Sequence, residues 1–412
     1  MSKKLHWLLA VLLAFSLVAA ACGDDDDDAS ESESAETEAV DEAAAEEEAA
    51  EEETAEEDMA EEEAAEEETA EEDMAEEEAA DEEAGAAAVA FDANGDGEVR
   101  IGIAAAGPRD DGAYYQAVVD AAEAFSAENG FGEVIIVDNI QSADAATELE
   151  NLAQQPVDII IVGASEIAEP MPDLAEQYSD IFWYCNCGAG FPESEFYLQS
   201  QDEGAQIAYT AGAATGILLR DTGGDAVTMI GCCDLGFEIQ HYLSFELGLA
   251  SIDENYTFTY VQSGDFPFDF DNVQNATAAY ENAVAEGSEA IYPYLGGAHE
   301  PVVGLANEGG QIVLSAGASD VCEREGDLSW DIAVRFDGGD YVREIFPLII
   351  DGTAQEGQIF VFAPGGEPAI NGAIICDATP EQEAELAEVY ELVASGALNE
   401  EFGRIAGEAF GG

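Results

Sequence analysis

Between Glu98 and Cys376 the chain alternates short apolar runs with helical patterns, and that rhythm narrows the fold more than any other feature. Strand-like runs fall at 99–105, 133–138, 157–162 and 180–185, with helical patterns at 112–128, 143–154 and 166–177. A second set places strands near 225–231, 257–262, 289–294 and 312–316, and helices near 203–219, 236–251, 271–286 and 300–309. Runs such as Val157–Val162 (VDIIIV) lack polar alternation, which suits a parallel sheet covered by helices on both faces. Two successive βαβ sets predict an α/β chain of two doubly wound, Rossmann-like lobes. Strands near 331–336, 358–362 and 371–376 follow, with helices at 338–350 and 380–396. We assign residues 91–200 to lobe 1, with a return segment at about 338–365. Residues 201–337 form lobe 2, together with about 366–412.

Ligands of such sheets bind outside the carboxyl ends of the strands. Those ends read Gly107-Pro108-Arg109-Asp110-Asp111, Gly163-Ala164-Ser165, Cys185-Asn186-Cys187-Gly188, Cys232-Cys233-Asp234 and Gly296-Gly297-Ala298-His299. Small residues there let a ligand approach the backbone. Asp110, Asp111, Gly163, Ser165, Asp234, Gly296, Gly297 and His299 are therefore candidate binding residues in a cleft between the lobes. Asp110, Asp111 and Asp234 read equally well as helix caps, and His299 as a surface helix residue. Arg335 sits inside an apolar strand, where an arginine needs a partner, and a ligand group is the expected one.

The charge is lopsided. Nine Lys and Arg face 93 Asp and Glu, for a net charge of −84. Like-charge repulsion argues against nucleic acids and anionic membrane surfaces as ligands. Residues 23–85 hold 35 acidic residues and no basic one. Residues 86–412 still carry 58 acids against seven arginines. A folded domain this acidic repels itself unless salt screens it, so we read it as adapted to saline surroundings. General acidity without salt dependence is the alternative. Past the N-terminus no apolar run approaches the roughly 20 residues that span a bilayer.

Residues 1–21 have the form of a signal peptide: basic Met1–Lys4, then apolar Leu5–Val18. The run closes on Val18-Ala19-Ala20-Ala21-Cys22-Gly23, small residues before a single cysteine, which resembles the lipobox of bacterial lipoproteins. That resemblance implies lipidation of Cys22 and a place on the outer face of the cytoplasmic membrane. An ordinary cleavable signal with an incidental cysteine is the other reading. Residues 22–90 follow as an acidic segment in which EEETAEEDMAEEEAA at 51–65 recurs unchanged at 66–80. So few apolar groups cannot offset chain entropy, so the segment reads as a solvated tether. Fully extended, the 63 residues from 23 to 85 would reach roughly 200 Å. Asp92-Ala93-Asn94-Gly95-Asp96-Gly97 begins like a calcium loop, but its twelfth position is Ile103 in place of the bidentate Glu. A capped turn into the first strand is the expectation.

Four stretches, in shared order and spacing, carry a resemblance to a known family. Asp110-Asp111-Gly112-Ala113-Tyr114-Tyr115-Gln116 resembles DDxSFNQ, and Asp202-Glu203-Gly204-Ala205-Gln206 an EEGAY helix start. Gly231 to Gly248 follows GGxE…F..GF.AG through Phe245, and Gly296-Gly297 to Gly310 follows AGGTG…AAKEAG. Over residues 98–400 the chain resembles the basic membrane protein family of substrate-binding lipoproteins, similar to purine nucleoside receptors of ABC transporters. The resemblance implies a type I periplasmic-binding fold, a nucleoside between the lobes, and an ABC permease with its ATPase as partners. It places Tyr114 on one face of the ring and His241 on the other. Tyr115 stands where the family has Asn, Ala316 near its ribose-gripping Asp, and Arg335 at its Lys.

Beyond Cys22, six cysteines remain, an even number suited to an oxidising compartment. Cys322 and Cys376 are isolated singles that could pair. Cys185/Cys187 and Cys232/Cys233 lie at strand ends facing the cleft, where a bridge between the two clusters is conceivable. CxC followed by CC matches no usual zinc spacing, so neither metal nor other cofactor is expected. An enzyme would need an activated nucleophile, and outside the signal only His241 and His299 are available as histidine bases. The leading reading is a solute receptor for a permease. A sugar or small-carboxylate receptor and a sensory lipoprotein are its alternatives.

Overall fold

The structure, a computed structural model, describes residues 91–187, 191–265 and 268–411. The signal segment, Cys22, the acidic repeat and Gly188 lie outside the described residues. The first sheet holds β1 (Ile101–Ala104), β2 (Ile135–Val137), β3 (Ile159–Val162), β4 (Phe182–Asn186) and β5 (Leu198–Asp202). A late strand, β11 (Ile359–Phe362), pairs in parallel with β5, giving the order β11-β5-β4-β3-β1-β2. The second sheet holds β6 (Ala226–Gly231), β7 (Thr257–Gln262), β8 (Ala290–Pro293) and β9 (Ile312–Val313) in the order β7-β6-β8-β9, again all parallel. A parallel bridge from Leu314 to Ile332 adds β10 (Ile332–Arg335), which pairs antiparallel with β12 (Gly372–Ile375).

Helices cover both faces of each sheet, as unbroken apolar strands require. Lobe 1 carries α1 (Tyr114–Glu128), α2 (Ala145–Ala153) and α3 (Met171–Gln177). It also carries α8 (Gly338–Ile350), whose Tyr341, Val342 and Ile345 share a core with Val118 and Val119 of α1. Lobe 2 carries α4 (Gly204–Thr222), α5 (Gly236–Ile252), α6 (Val273–Ala285) and α7 (His299–Gly309). It is completed by α9 (Pro380–Ala394) and α10 (Asn399–Ala409), which bring Leu386, Val389 and Phe402 into its core. The chain passes between the lobes three times: from β5 to α4, from β10 to α8, and from β11 to β12.

Helices α4 and α5 meet backbone to backbone. A Cβ at Gly212 would overlap the carbonyl of Phe245, and one at Gly248 would overlap that of Tyr209. Only hydrogen fits at either position, which explains the glycine within the family-like stretch ending at Gly248.

Three local outcomes differ from the sequence reading. Strand β5 shows no apolar pattern because its interior is polar yet buried: Gln199 Nε2 donates to the Pro192 carbonyl at 2.7 Å, and Ser200 Oγ to Asn186 Oδ1 at 2.8 Å. The helix expected over 166–177 is broken into a 3₁₀ turn at Ser165–Ile167 and α3, because Pro170 ends the first piece and caps the second. The cysteines at the strand ends pair within their clusters, Cys185 with Cys187 and Cys232 with Cys233, so no bridge joins the two lobes there. Their Cα atoms lie 5.1 and 3.7 Å apart, which leaves each sulfur's nearest partner on its own strand end. Cys322 pairs with Cys376.

The turn at Asp92–Gly97 is closed by its own amides. Asp92 accepts from the backbone N–H groups of Asp96 at 3.0 Å and Gly97 at 2.9 Å, and Asn94 Oδ1 accepts from Asp96 at 2.8 Å. Among the described residues no group of three or more His, Cys, Asp or Glu side chains is placed to hold a metal ion.

Candidate functional site

A cavity of about 170 Å³ lies between the lobes, at the carboxyl ends of both sheets. Lobe 1 builds its wall from Asp111 of the loop after β1, Tyr114 and Tyr115 at the start of α1, the turn after β3 (Ala164, Ser165, Glu166) and the ends of β4 and β5 (Asn186, Cys187, Asp202). Lobe 2 contributes Gly204 and Ile207 of α4, Phe237, Gln240 and His241 of α5, and Phe270 ahead of α6. Tyr294, Leu295, Gly296, Ala316, Gly317 and Phe336 complete it from the strand ends.

The walls are aromatic. Tyr114 and Tyr115 stand edge to face, with centroids 5.7 Å apart. The Tyr114 hydroxyl donates to the Asn186 carbonyl at 3.2 Å, and Asn186 is itself held by Ser200 and by the Gly338 carbonyl, so the ring has a fixed pose. Across the cavity Tyr294 stacks on Phe336 at 5.6 Å and Phe237 on Phe270 at 6.3 Å. His241 lies 4.7 Å from Tyr294 and its Nε2 pairs with the Tyr292 hydroxyl at 2.8 Å. Burial drives its pKa down to about 3, so the imidazole is neutral.

Three carboxylates border the same space, and no Lys or Arg does among the described residues. Asp111 accepts from the N–H groups of Ala113 (2.9 Å), Gln116 (3.0 Å) and Tyr115 (3.3 Å), capping α1. Burial raises its pKa while those donors oppose the rise. Asp202 accepts from the Tyr341 hydroxyl at 3.4 Å, and burial lifts its pKa to about 6. Glu166 is lifted to about 7, again by burial. Its side chain keeps some accessibility on the cavity side, while protein encloses the rest.

The sequence candidates are thus divided. Asp111, Tyr114, Tyr115, Ser165, His241 and Gly296 border the cavity. Asp110 and Asp234 are exposed outside it, and Gly163 is buried behind the wall. Gly297 donates its N–H to Asp271 at 2.6 Å and forms no part of the lining. His299 is fully buried behind the wall, stacked 6.2 Å from Trp330. Arg335 also faces away. Its guanidinium donates to the carbonyls of Asn371 (3.2 Å), Ala369 (3.2 Å) and Gly372 (3.3 Å), so backbone supplies the partner that a ligand was expected to provide. Adjacent strand residues point to opposite faces, and Phe336 takes the cavity side. Phe237, Phe270, Tyr294, Phe336, Gln240, Asn186, Asp202 and Glu166 were not singled out from sequence as binding residues. Tyr294, Phe336 and Glu166 all lie within four residues after a strand, the signal that could have found them.

Arg324 of lobe 2 donates across the cleft to the Gly112 carbonyl of lobe 1 at 3.0 Å, with Glu300 3.7 Å from the guanidinium.

The family described as ABC transporter substrate-binding protein PnrA-like (Bmp) matches residues 98–320. The chain belongs to this family. PnrA-like proteins bind a small solute for an ABC permease outside the cytoplasm, and they are receptors rather than enzymes. Solved structures agree in fold. An ABC transporter solute-binding protein from Conexibacter woesei DSM 14684 is similar with a TM-score of 0.56 and 19% identity, over 73% of this chain and 97% of that one. One from Aeropyrum pernix K1 gives a TM-score of 0.57 and 12% identity, over 76% and 90%. A transcriptional activator of the comK gene from Bacillus halodurans gives 0.53 and 14%, over 71% and 96%. No curated protein matches the sequence. For the PnrA-like chain described here, the interlobe cavity is the candidate solute site, since it lies at the carboxyl ends of both sheets.

Proposed function

We propose that this PnrA-like protein is a nucleoside receptor, anchored by lipid at Cys22 to the outer face of the cytoplasmic membrane, that hands its ligand to an ABC permease. The observation that carries the reading is the interlobe cavity with aromatic rings on both walls and no cationic side chain among its described lining residues. A flat, uncharged ring suits such walls, since stacking on an aromatic face contributes about 1–3 kcal/mol per base. Carboxylates in place of cations suit hydroxyl and N–H donors and disfavour anions. The small-carboxylate alternative is weakened in the same way, because the arginine meant to hold the anion is occupied by backbone carbonyls.

Calorimetry against purine nucleosides, pyrimidine nucleosides and simple sugars tests the proposal. Binding of a nucleoside with heat and 1:1 stoichiometry is expected. Sugar binding with no response to any nucleoside would overturn it.

A further inference from the structure

Four buried or cavity-facing carboxylates cluster around the cleft, and three of them already have partners. Asp111 caps α1 through three N–H groups. Glu238 accepts from the N–H groups of Cys232 (2.6 Å), Leu235 (3.0 Å) and Cys233 (3.1 Å), which orders the loop after β6. Asp202 accepts from Tyr341. Glu166 differs: no side chain and no amide of another residue donates to its carboxylate among the described residues, although it borders the cavity beside Ser165. It stands on a short turn immediately after β3, a rigid strand whose four residues are all buried. An enclosed acceptor left without a donor by the protein is costly unless something in the cavity supplies one.

Resting on the nucleoside reading above, we propose that Glu166 determines which ring is bound, by pairing with a ring edge that presents two adjacent N–H donors, as guanine does. The chemistry is one of matching. A carboxylate only accepts, and its two oxygens take two parallel donors side by side. Guanine offers such a pair in its ring N–H and neighbouring amino group. Hypoxanthine offers the ring N–H beside a C–H and so forms one bond where guanine forms two. The absence of Lys and Arg from the described lining leaves no competing charge partner for the carboxylate within the cavity.

The test is calorimetry of guanosine and inosine against the wild-type protein at pH 8.5 in molar salt, followed by Glu166→Gln. The pH lies above the value of about 7 to which burial raises this carboxyl, so the group is ionised. Guanosine should bind at least about tenfold tighter than inosine, the loss expected from one missing charge-assisted hydrogen bond. An amide presents one acceptor and one donor, which both rings can match through ring N–H and carbonyl. Glu166→Gln should therefore bring the two affinities within about twofold of each other. Equal binding of both nucleosides by the wild type, or an undiminished guanosine preference in the variant, overturns the assignment while leaving the nucleoside reading intact. If neither guanosine nor inosine binds, the assignment of Glu166 falls, and the nucleoside reading is decided separately by adenosine and the pyrimidine nucleosides. Should the variant fail to fold, the wild-type ratio decides alone.

Discussion

Tyr114 and Arg335 looked like two halves of one site in the sequence, and the structure separates them. Tyr114 faces the cavity with its hydroxyl tied to the Asn186 carbonyl, whereas Arg335 is held by three carbonyls on the far face of β10. Tyr114→Ala should weaken ligand binding by about 1–3 kcal/mol, the range for a lost stacking platform. Arg335→Ala should leave the affinity unchanged and lower the melting temperature, since it removes the donor to the part-buried carbonyls of Asn371 and Gly372. Calorimetry and thermal melts on the two variants check the contrast, and a loss of affinity in Arg335→Ala would contradict it. Carboxyl titration gives a second test. Burial raises Asp337 and Glu166 to about 7 and Asp202 to about 6, all above their unfolded values near 4. Through these three carboxyls the folded state holds more protons than the unfolded state between pH 4 and 7. His241 and His299, lowered by burial to about 3 and about 4, act in the opposite sense but are two groups against three, so stability falls as pH rises through the folded carboxyl values. At constant molar salt the melting temperature should be higher at pH 5 than at pH 8. A melting temperature that rises with pH over this range would refute the sign.

At the level of strands and helices, apolar runs were readable and polar interiors were not. Val157–Val162 announced β3, and its family of apolar runs announced the two parallel sheets. Strand β5 stayed hidden because its stability comes from Ser200, Gln199 and their side-chain bonds rather than from apolar area. Helix α10 was hidden for a related reason: it buries only Phe402 and Ile405 in an otherwise polar surface stretch. The same limit applies to the cavity. Sequence indicated which strand ends face it, but not which side chain of each loop turns inward, because that depends on residue-by-residue alternation at Arg335 and Phe336 and on the kink at Pro170. Close helix crossing is the element-level feature most open to test. Gly248→Ala places a methyl group against the Tyr209 carbonyl and should cost at least about 1–3 kcal/mol through forced separation of α4 and α5. Denaturant melts would show it as a lower midpoint, and an unchanged midpoint would mean the helices can part without cost.

On the scale of the whole molecule, the charge and the proposed anchorage are the features open to test. Seven arginines against 58 acids in residues 86–412 leave most surface carboxylates without a cationic neighbour. Raising salt from tens of millimolar to molar shortens the Debye length from above 10 Å to about 3 Å. The melting temperature should therefore climb substantially over that range, and a flat response would remove the case for saline adaptation. Anchorage is tested by Cys22→Ala, which should move the protein from the membrane fraction to the soluble fraction, because stable attachment needs the acyl chains. Retention of the variant in the membrane fraction would count against lipidation.

The three passages between lobes have a mechanical consequence. An odd number of crossings means that a chain entering on one body must leave on the other. Phe91, at the upstream end of the described chain, packs its ring 6.1 Å from Phe182 in lobe 1, while α10 ends the chain on lobe 2. Any load carried along the upstream chain therefore enters the receptor through lobe 1. Lobe 2 is coupled to it through the three chain passages and through the Arg324 contact with the Gly112 carbonyl, which any opening of the cleft has to break.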